Sequence, residues 1–145
     1  MSEGGPGNYG IVDDSDWPVV RVTLAGSPTS HADLQVLFQR MDALYDRKEL
    51  FVVIVDLLQC DYLIHPSYVY EMVKHMKKMN LYTKTYIVCL CLITDSYAMA
   101  QTIGWIQTIR EPTIPWHIFS TVTEAKNHIT EMKAKAARPN SALLI

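Results

Sequence analysis

The stretch Phe51-Val-Val-Ile-Val-Asp-Leu-Leu-Gln-Cys60 constrains this chain more than any other. A strand so nearly unbroken in apolar side chains has no face to offer to water. It belongs inside a sheet that helices cover on both sides. Its one acid, Asp56, is read as lying near the strand's end. The segment that follows, Asp61-Tyr-Leu-Ile-His-Pro-Ser67, opens an amphipathic helix. In such a fold the polar chemistry gathers where strands end and helices begin.

Periodicity supplies the other elements. Residues 19–25 alternate as a strand that Gly26 ends, and residues 9–12 read as a short edge strand. Between them, Asp13-Asp-Ser-Asp16 is expected to make the turn, because Asp and Ser hydrogen-bond their own backbone. Four apolar stripes at 3.6-residue spacing mark helices. The first carries Leu34, Leu37, Phe38, Met41 and Leu44, and the second Val69, Met72, Val73, Met76 and Met79. The third carries Met99, Ile103, Ile106 and Ile109, and the fourth Val122, Ala125, Ile129 and Met132. Ser30 with Asp33, Pro66, and Thr121 with Glu124 supply start signals, and Pro112 a stop. Strands are expected over 51–58, 85–93 and 116–119. This order predicts a single α/β domain with a mostly parallel, mixed sheet, an N-terminal antiparallel hairpin and right-handed crossovers. The domain is expected over residues 9–135, with a Gly-rich disordered segment at 1–8 and a mobile tail at 136–145.

Composition narrows the function classes. A chain of 145 residues, 49% of them hydrophobic, can build one sizeable core. A net charge of −2 leaves no electrostatic footprint for nucleic acid, and Lys74, Lys77 and Lys78 read as a solvated helix face. The odd set Cys60, Cys89 and Cys91 sits on or beside apolar strands, as buried reduced thiols of a cytoplasmic protein would. Cys89 and Cys91 are two apart and share a strand face. No apolar run reaches the roughly 18–20 residues of a transmembrane span, and no signal-peptide pattern is present.

No cofactor or metal is expected. Gly26-Ser-Pro-Thr-Ser30 has one glycine where a dinucleotide fold needs several, and no G-x-S-x-G elbow occurs. His31, His65, His75, His117 and His128 lack metal-ligand spacing. His65 and Ser67 stand at a helix start, where backbone amides favour a phosphate or carboxylate. Asp56, Asp95 and Ser96 are further candidates for a ligand site, although capping and loop bonds are the commoner reason for a strand-end carboxylate and for the Thr94-Asp95-Ser96 run. Trp105 falls on the flank of the third helix with Ala98, Gln101 and Thr102. It is expected either to anchor an interface or to pack under the tail.

The hairpin, the strand Val-Thr-Leu-Ala-Gly26, the helix and the apolar strand carrying Asp56 together resemble the STAS domains. These are the anti-sigma-factor-antagonist-like modules, and the SpoIIAA-like branch is nearest. The ending Trp116-His-Ile-Phe-Ser-Thr-Val-Thr-Glu-Ala125 is similar to that branch's last strand and helix. The likeness spans residues 9 to 133 on motifs of low specificity. It implies a non-catalytic module that binds protein partners, in some members nucleotides or lipids. Phosphorylated members carry an Asp-Ser pair after the Asp-ended strand. That place falls near Ile64 and His65 here, with Ser67 two residues on, so the serine switch is in doubt and the SpoIIAA-like branch is favoured.

Three functional classes stand open. The chain is expected to be a regulatory module for a protein partner or a second copy of itself, with room for a small anionic ligand. Its abundant methionines and the fold analogy with lipid-binding proteins motivate an apolar-ligand carrier. An enzyme would have to draw on Asp56, His65 and Asp95. A closed core without a cavity would remove the carrier, and separation of those three side chains would weaken the enzyme.

Overall fold

The computed structural model describes residues 9–26, 28, 30–60, 67–68, 70–71, 74–75, 78, 86–109 and 115–137. Strands β1 (Gly10–Asp16) and β2 (Val19–Gly26) open the chain. Helix α1 (His31–Asp42) runs into a 3-10 turn over Ala43–Arg47, and β3 (Phe51–Cys60) follows. Ser67, Tyr68, Tyr70, Glu71, Lys74, His75 and Lys78 are helical, and β4 (Ile87–Ile93) comes next. Helix α2 (Tyr97–Ile109), β5 (Trp116–Phe119) and α3 (Val122–Ala137) complete the order. The apolar stripe expected over 69–79, and Pro66 and Pro112, lie outside the described residues, as do the expected segment 1–8 and all of the expected tail 136–145 except Ala136 and Ala137, which belong to the last helix.

The five strands stand in sequence order, β1-β2-β3-β4-β5, with β1 antiparallel to β2 and every other pair parallel. Right-handed crossovers between strands that advance in one direction must all lie on one face of the sheet. The packing agrees. Leu34, Leu37 and Phe38 of α1 and Met99 and Ile103 of α2 join Val20, Val22, Leu24, Phe51, Val53 and Leu57 in one core, with Tyr68 against it. Helix α3 connects to no further strand and covers the other face, where Ala125 and Ile129 meet Val52, Ile54, Cys89, Cys91 and Ile93. The expectation that β3 is buried on both sides is met: Val53 and Ile54 are both fully buried. Over β1 and β2, however, the α3 face stays open, and Ile11 there is 64% exposed.

Local chemistry differs from the sequence reading in three places. β1 runs to Asp16, and the hairpin turns at Trp17-Pro18, whose peptide bond is cis. Asp13 Oδ1 accepts the Ser15 amide at 2.9 Å, so the local bond expected of the acidic run forms, but inside a strand irregularity. Trp17 is fixed by Glu49, which its indole N–H reaches at 2.7 Å, and by the Arg47 guanidinium 4.1 Å above its ring. Ser30 stands at the start of α1, but its hydroxyl makes no capping bond. β3 continues past residue 58 to Cys60, so Asp56 lies within the strand. The expected Thr121–Glu124 capping box forms: the Glu124 amide donates to Thr121 Oγ1 and the Thr121 amide to Glu124 Oε1, both at 3.2 Å.

Two glycines are demanded by geometry. Gly26 ends β2 at φ +69°, a left-handed conformation that side chains disfavour. At Gly10 an added Cβ would lie 2.6 Å from Leu37 Cδ1, so the missing side chain is what lets α1 press on β1.

Candidate functional site

The carboxyl ends of β2 to β5 define the predicted ligand end. Asp56 is buried, on the α3 face of β3, two register positions from Arg21 of β2. Arg21 Nη2 donates to Asp56 Oδ2 at 2.6 Å, and Asp56 Oδ1 accepts the Leu58 amide at 3.0 Å. Both carboxylate oxygens are therefore engaged by the protein itself. Arg21 is the residue that sequence reasoning missed, although a lone cation on the less buried face of an alternating strand was the available signal.

At the end of β4, the Thr94 amide donates to the Phe119 carbonyl at 2.9 Å and ties this loop to β5. The Ser96 amide donates to Thr94 Oγ1, and the Met99 amide to Ser96 Oγ, each at 3.1 Å. Ser96 therefore starts α2 as a capping residue. Asp95 beside it is exposed. After β5, Ser120 and Thr121 direct their amides and hydroxyls at Glu124, whose acidity those bonds increase, the Ser120 hydroxyl most. Ser67 is helical and half-buried, whereas His65 lies outside the described residues. Among the described residues, Asp56 and Asp95 share no hydrogen bond, and no group of three or more His, Cys, Asp and Glu is placed to hold a metal ion.

The outer side of α2 is of a different kind. Met99 and Ile103 are buried, which turns Ala98, Gln101, Thr102 and Trp105 outward, as their spacing predicted. Trp105 is 60% exposed, and Tyr97, two turns earlier on the same side, is 79% exposed. Gly104 leaves the backbone open beside them: a Cβ there would meet nothing within 4 Å. Tyr97 was overlooked because it is the helix's first residue and falls outside the apolar stripe.

An apolar cavity of about 230 Å³ lies at the opposite, amino end of the strands, between α3 and the sheet. Pro18, Val19, Leu50, Val88, Ile129 and Met132 are among its lining residues. Under α3 nearby, Cys89 and Cys91 share a strand face; the neighbouring Cys91 thiol favours ionisation of Cys89, while Cys89 and burial oppose that of Cys91. All three cysteines are buried and none forms a disulfide, as the sequence implied.

No protein-family model matches this chain, and no curated protein does. Among solved structures, an uncharacterised DUF3478-family protein with a SpoIIAA-like fold from Shewanella loihica PV-4 aligns with a TM-score of 0.59. Identity is 10%, and the alignment covers 81% of this chain and 90% of that one. An anti-sigma factor antagonist from Mycobacterium paratuberculosis aligns with a TM-score of 0.55 at 14% identity, covering 83% and 92%. The chain has the STAS, SpoIIAA-like fold.

Proposed function

We propose that this domain works by binding rather than catalysis, as a regulatory module that engages a protein partner or a second copy of itself through the outer side of α2. The observation that carries this reading is the pair of exposed aromatics, Tyr97 and Trp105, on one helix face. Aromatic side chains contribute large contact area at interfaces and are over-represented among the residues that dominate binding. The likeness in fold to an anti-sigma factor antagonist supports a regulatory role. The engagement of Asp56 by Arg21 and the Leu58 amide speaks against Asp56 as a member of an acid–base set.

The test compares wild type with Trp105→Ala and Tyr97→Ala by sedimentation and by affinity capture with quantified specific partners. The expected result is loss of self-association or of a captured partner, with the circular dichroism spectrum unchanged. Association equal in all three proteins sinks the reading.

The anionic-ligand component rests on Ser67 and His65, since Ser96 is occupied as a cap and Asp56 is paired. Phosphate should move the Ser67 amide resonance at millimolar concentration, and a static resonance removes this component. The apolar-carrier reading draws on the cavity beside α3. At about 230 Å³ it falls below the roughly 300–1,000 Å³ of ordinary small-molecule pockets. A lipid chain is poorly served by it. Among the described residues, no helix is long and apolar enough to cross a membrane.

A further inference from the structure

Three sulfur-bearing side chains converge beneath α3. Cys89 and Cys91, two residues apart on β4, point to the same face, where they are 1% and 0% exposed. Met132 of α3 packs against this cluster, its Sδ 3.8 Å from Cys89 Sγ. We propose that Cys89, Cys91 and Met132 form a three-coordinate binding site for one Cu(I) ion.

The donor chemistry selects the ion. Thiolates and thioethers are soft ligands that suit Cu(I), whereas calcium, magnesium and manganese require oxygen. Zinc requires four ligands, normally thiolate, imidazole or carboxylate. Among the described residues no set of even three such groups is available, so zinc has no complete shell here. Spacing agrees with a trigonal centre. Metal–sulfur bonds of about 2.3 Å at 120° separate the sulfurs by about 4 Å, and the Cys89–Met132 sulfurs stand 3.8 Å apart.

The sulfur cluster borders the apolar cavity through Met132. Met132 and Val88, the residue before Cys89, both line the apolar cavity at the amino ends of the strands. Met132 thus belongs to the cavity wall and to the sulfur cluster at once. On binding, each thiol releases its proton to solvent as its copper–sulfur bond forms, and the thioether donates a lone pair without losing a proton. Two thiolates and Cu(I) leave the centre with one negative charge and no change in copper oxidation state.

The experiment uses the full chain, reduced and anaerobic, loaded with Cu(I) supplied as its acetonitrile complex and challenged with bathocuproine disulfonate. Wild type is expected to retain one copper per chain. X-ray absorption should then show three sulfurs at about 2.3 Å. Cys89→Ser and Cys91→Ser should each lose the retained copper, Met132→Leu should weaken retention, and Cys60→Ser should leave it intact. Should a serine variant fail to fold, Met132→Leu and the wild-type absorption spectrum still decide the matter. No copper retained by folded wild type, a shell of two sulfurs or of nitrogen and oxygen, or equal loss in Cys60→Ser overturns the proposal. Equally tight retention of Zn(II) overturns the assignment to Cu(I).

Discussion

Arg21 and Asp56 meet diagonally across β2 and β3, nitrogen to oxygen at 2.6 Å, with the Asp56 side chain only 8% exposed and that of Arg21 42%. The two ends of this pair are therefore unequal. Removing Arg21 strands a carboxylate largely shielded from water, whereas neutralising Asp56 leaves a side chain that is already 42% exposed. Breaking a fully buried pair costs about 3–5 kcal/mol, an upper bound here because of Arg21's exposure. Arg21→Ala is expected to cost about 2 kcal/mol in urea denaturation. Asp56→Asn, which keeps an oxygen for the Leu58 amide, should cost about 1 kcal/mol or less. Equal costs would mean that the pair behaves as an ordinary surface contact.

Gly10 and Leu37 give a second measurable coupling. Gly10→Ala forces a methyl group to within 2.6 Å of Leu37 Cδ1 and 3.0 Å of Leu24 Cδ2, and both leucines are buried. Overpacking of this kind typically costs about 1–3 kcal/mol. Leu37→Val alone should destabilise through lost contact, yet in the Gly10→Ala background it should recover part of the loss. Strict additivity in the double-mutant cycle would show that α1 yields elsewhere.

Helix α2 separates stability from surface. Ile103 is 5% exposed and Trp105 is 60% exposed. Ile103→Ala should cost about 2–5 kcal/mol, as for other buried aliphatic truncations. Trp105→Ala should fall within about 0.5 kcal/mol, the range for surface substitutions. Thermal melts of the two variants decide between them. A large drop for Trp105→Ala would make that side chain part of the packing.

Mild acid should weaken the fold through two of its histidines. His75 is stacked on Phe38 at a ring separation of 3.9 Å, and burial pulls its pKa below 6.5. Asp42, 3.3 Å from Nε2 but without a well-directed hydrogen bond, only partly opposes this. Burial and the neighbouring His128 also lower the pKa of His117. Both groups bind protons more weakly folded than unfolded, so their contribution is complete above about pH 6.5 and is lost as pH falls through the folded values. The urea midpoint should therefore drop between pH 7.5 and 5. His75→Gln should flatten that slope, and an unchanged slope would place the origin elsewhere.

The legible parts of this chain were those where one face or one cap decides. The unbroken apolar run at 51–55 located the central strand, and Thr121 with Glu124 located a helix start, because each signal is local. The hairpin turn was misplaced because Asp13-Asp-Ser-Asp16 satisfies its preferred bond inside a strand, while Trp17 is held by Glu49 and Arg47 from 30 residues away or more. Asp56 was recognised but its partner was not, since a salt bridge across two strands depends on register, which no single segment encodes. The convergence of Cys89, Cys91 and Met132 required knowing that α3 takes the face opposite the crossovers.

The order of the strands carries a consequence for how the domain is assembled. Each strand pairs with the one made just before it, so no strand has to be threaded between two already joined. Every pairing closes a short loop relative to the whole chain, which keeps the entropic cost of each step small. As the polypeptide leaves the ribosome, the sheet can lengthen by one ribbon at a time at its free margin, from β2 toward β5. Growth stops when α3 turns beneath the sheet and seals Ile54, Cys91 and Ile93 from water.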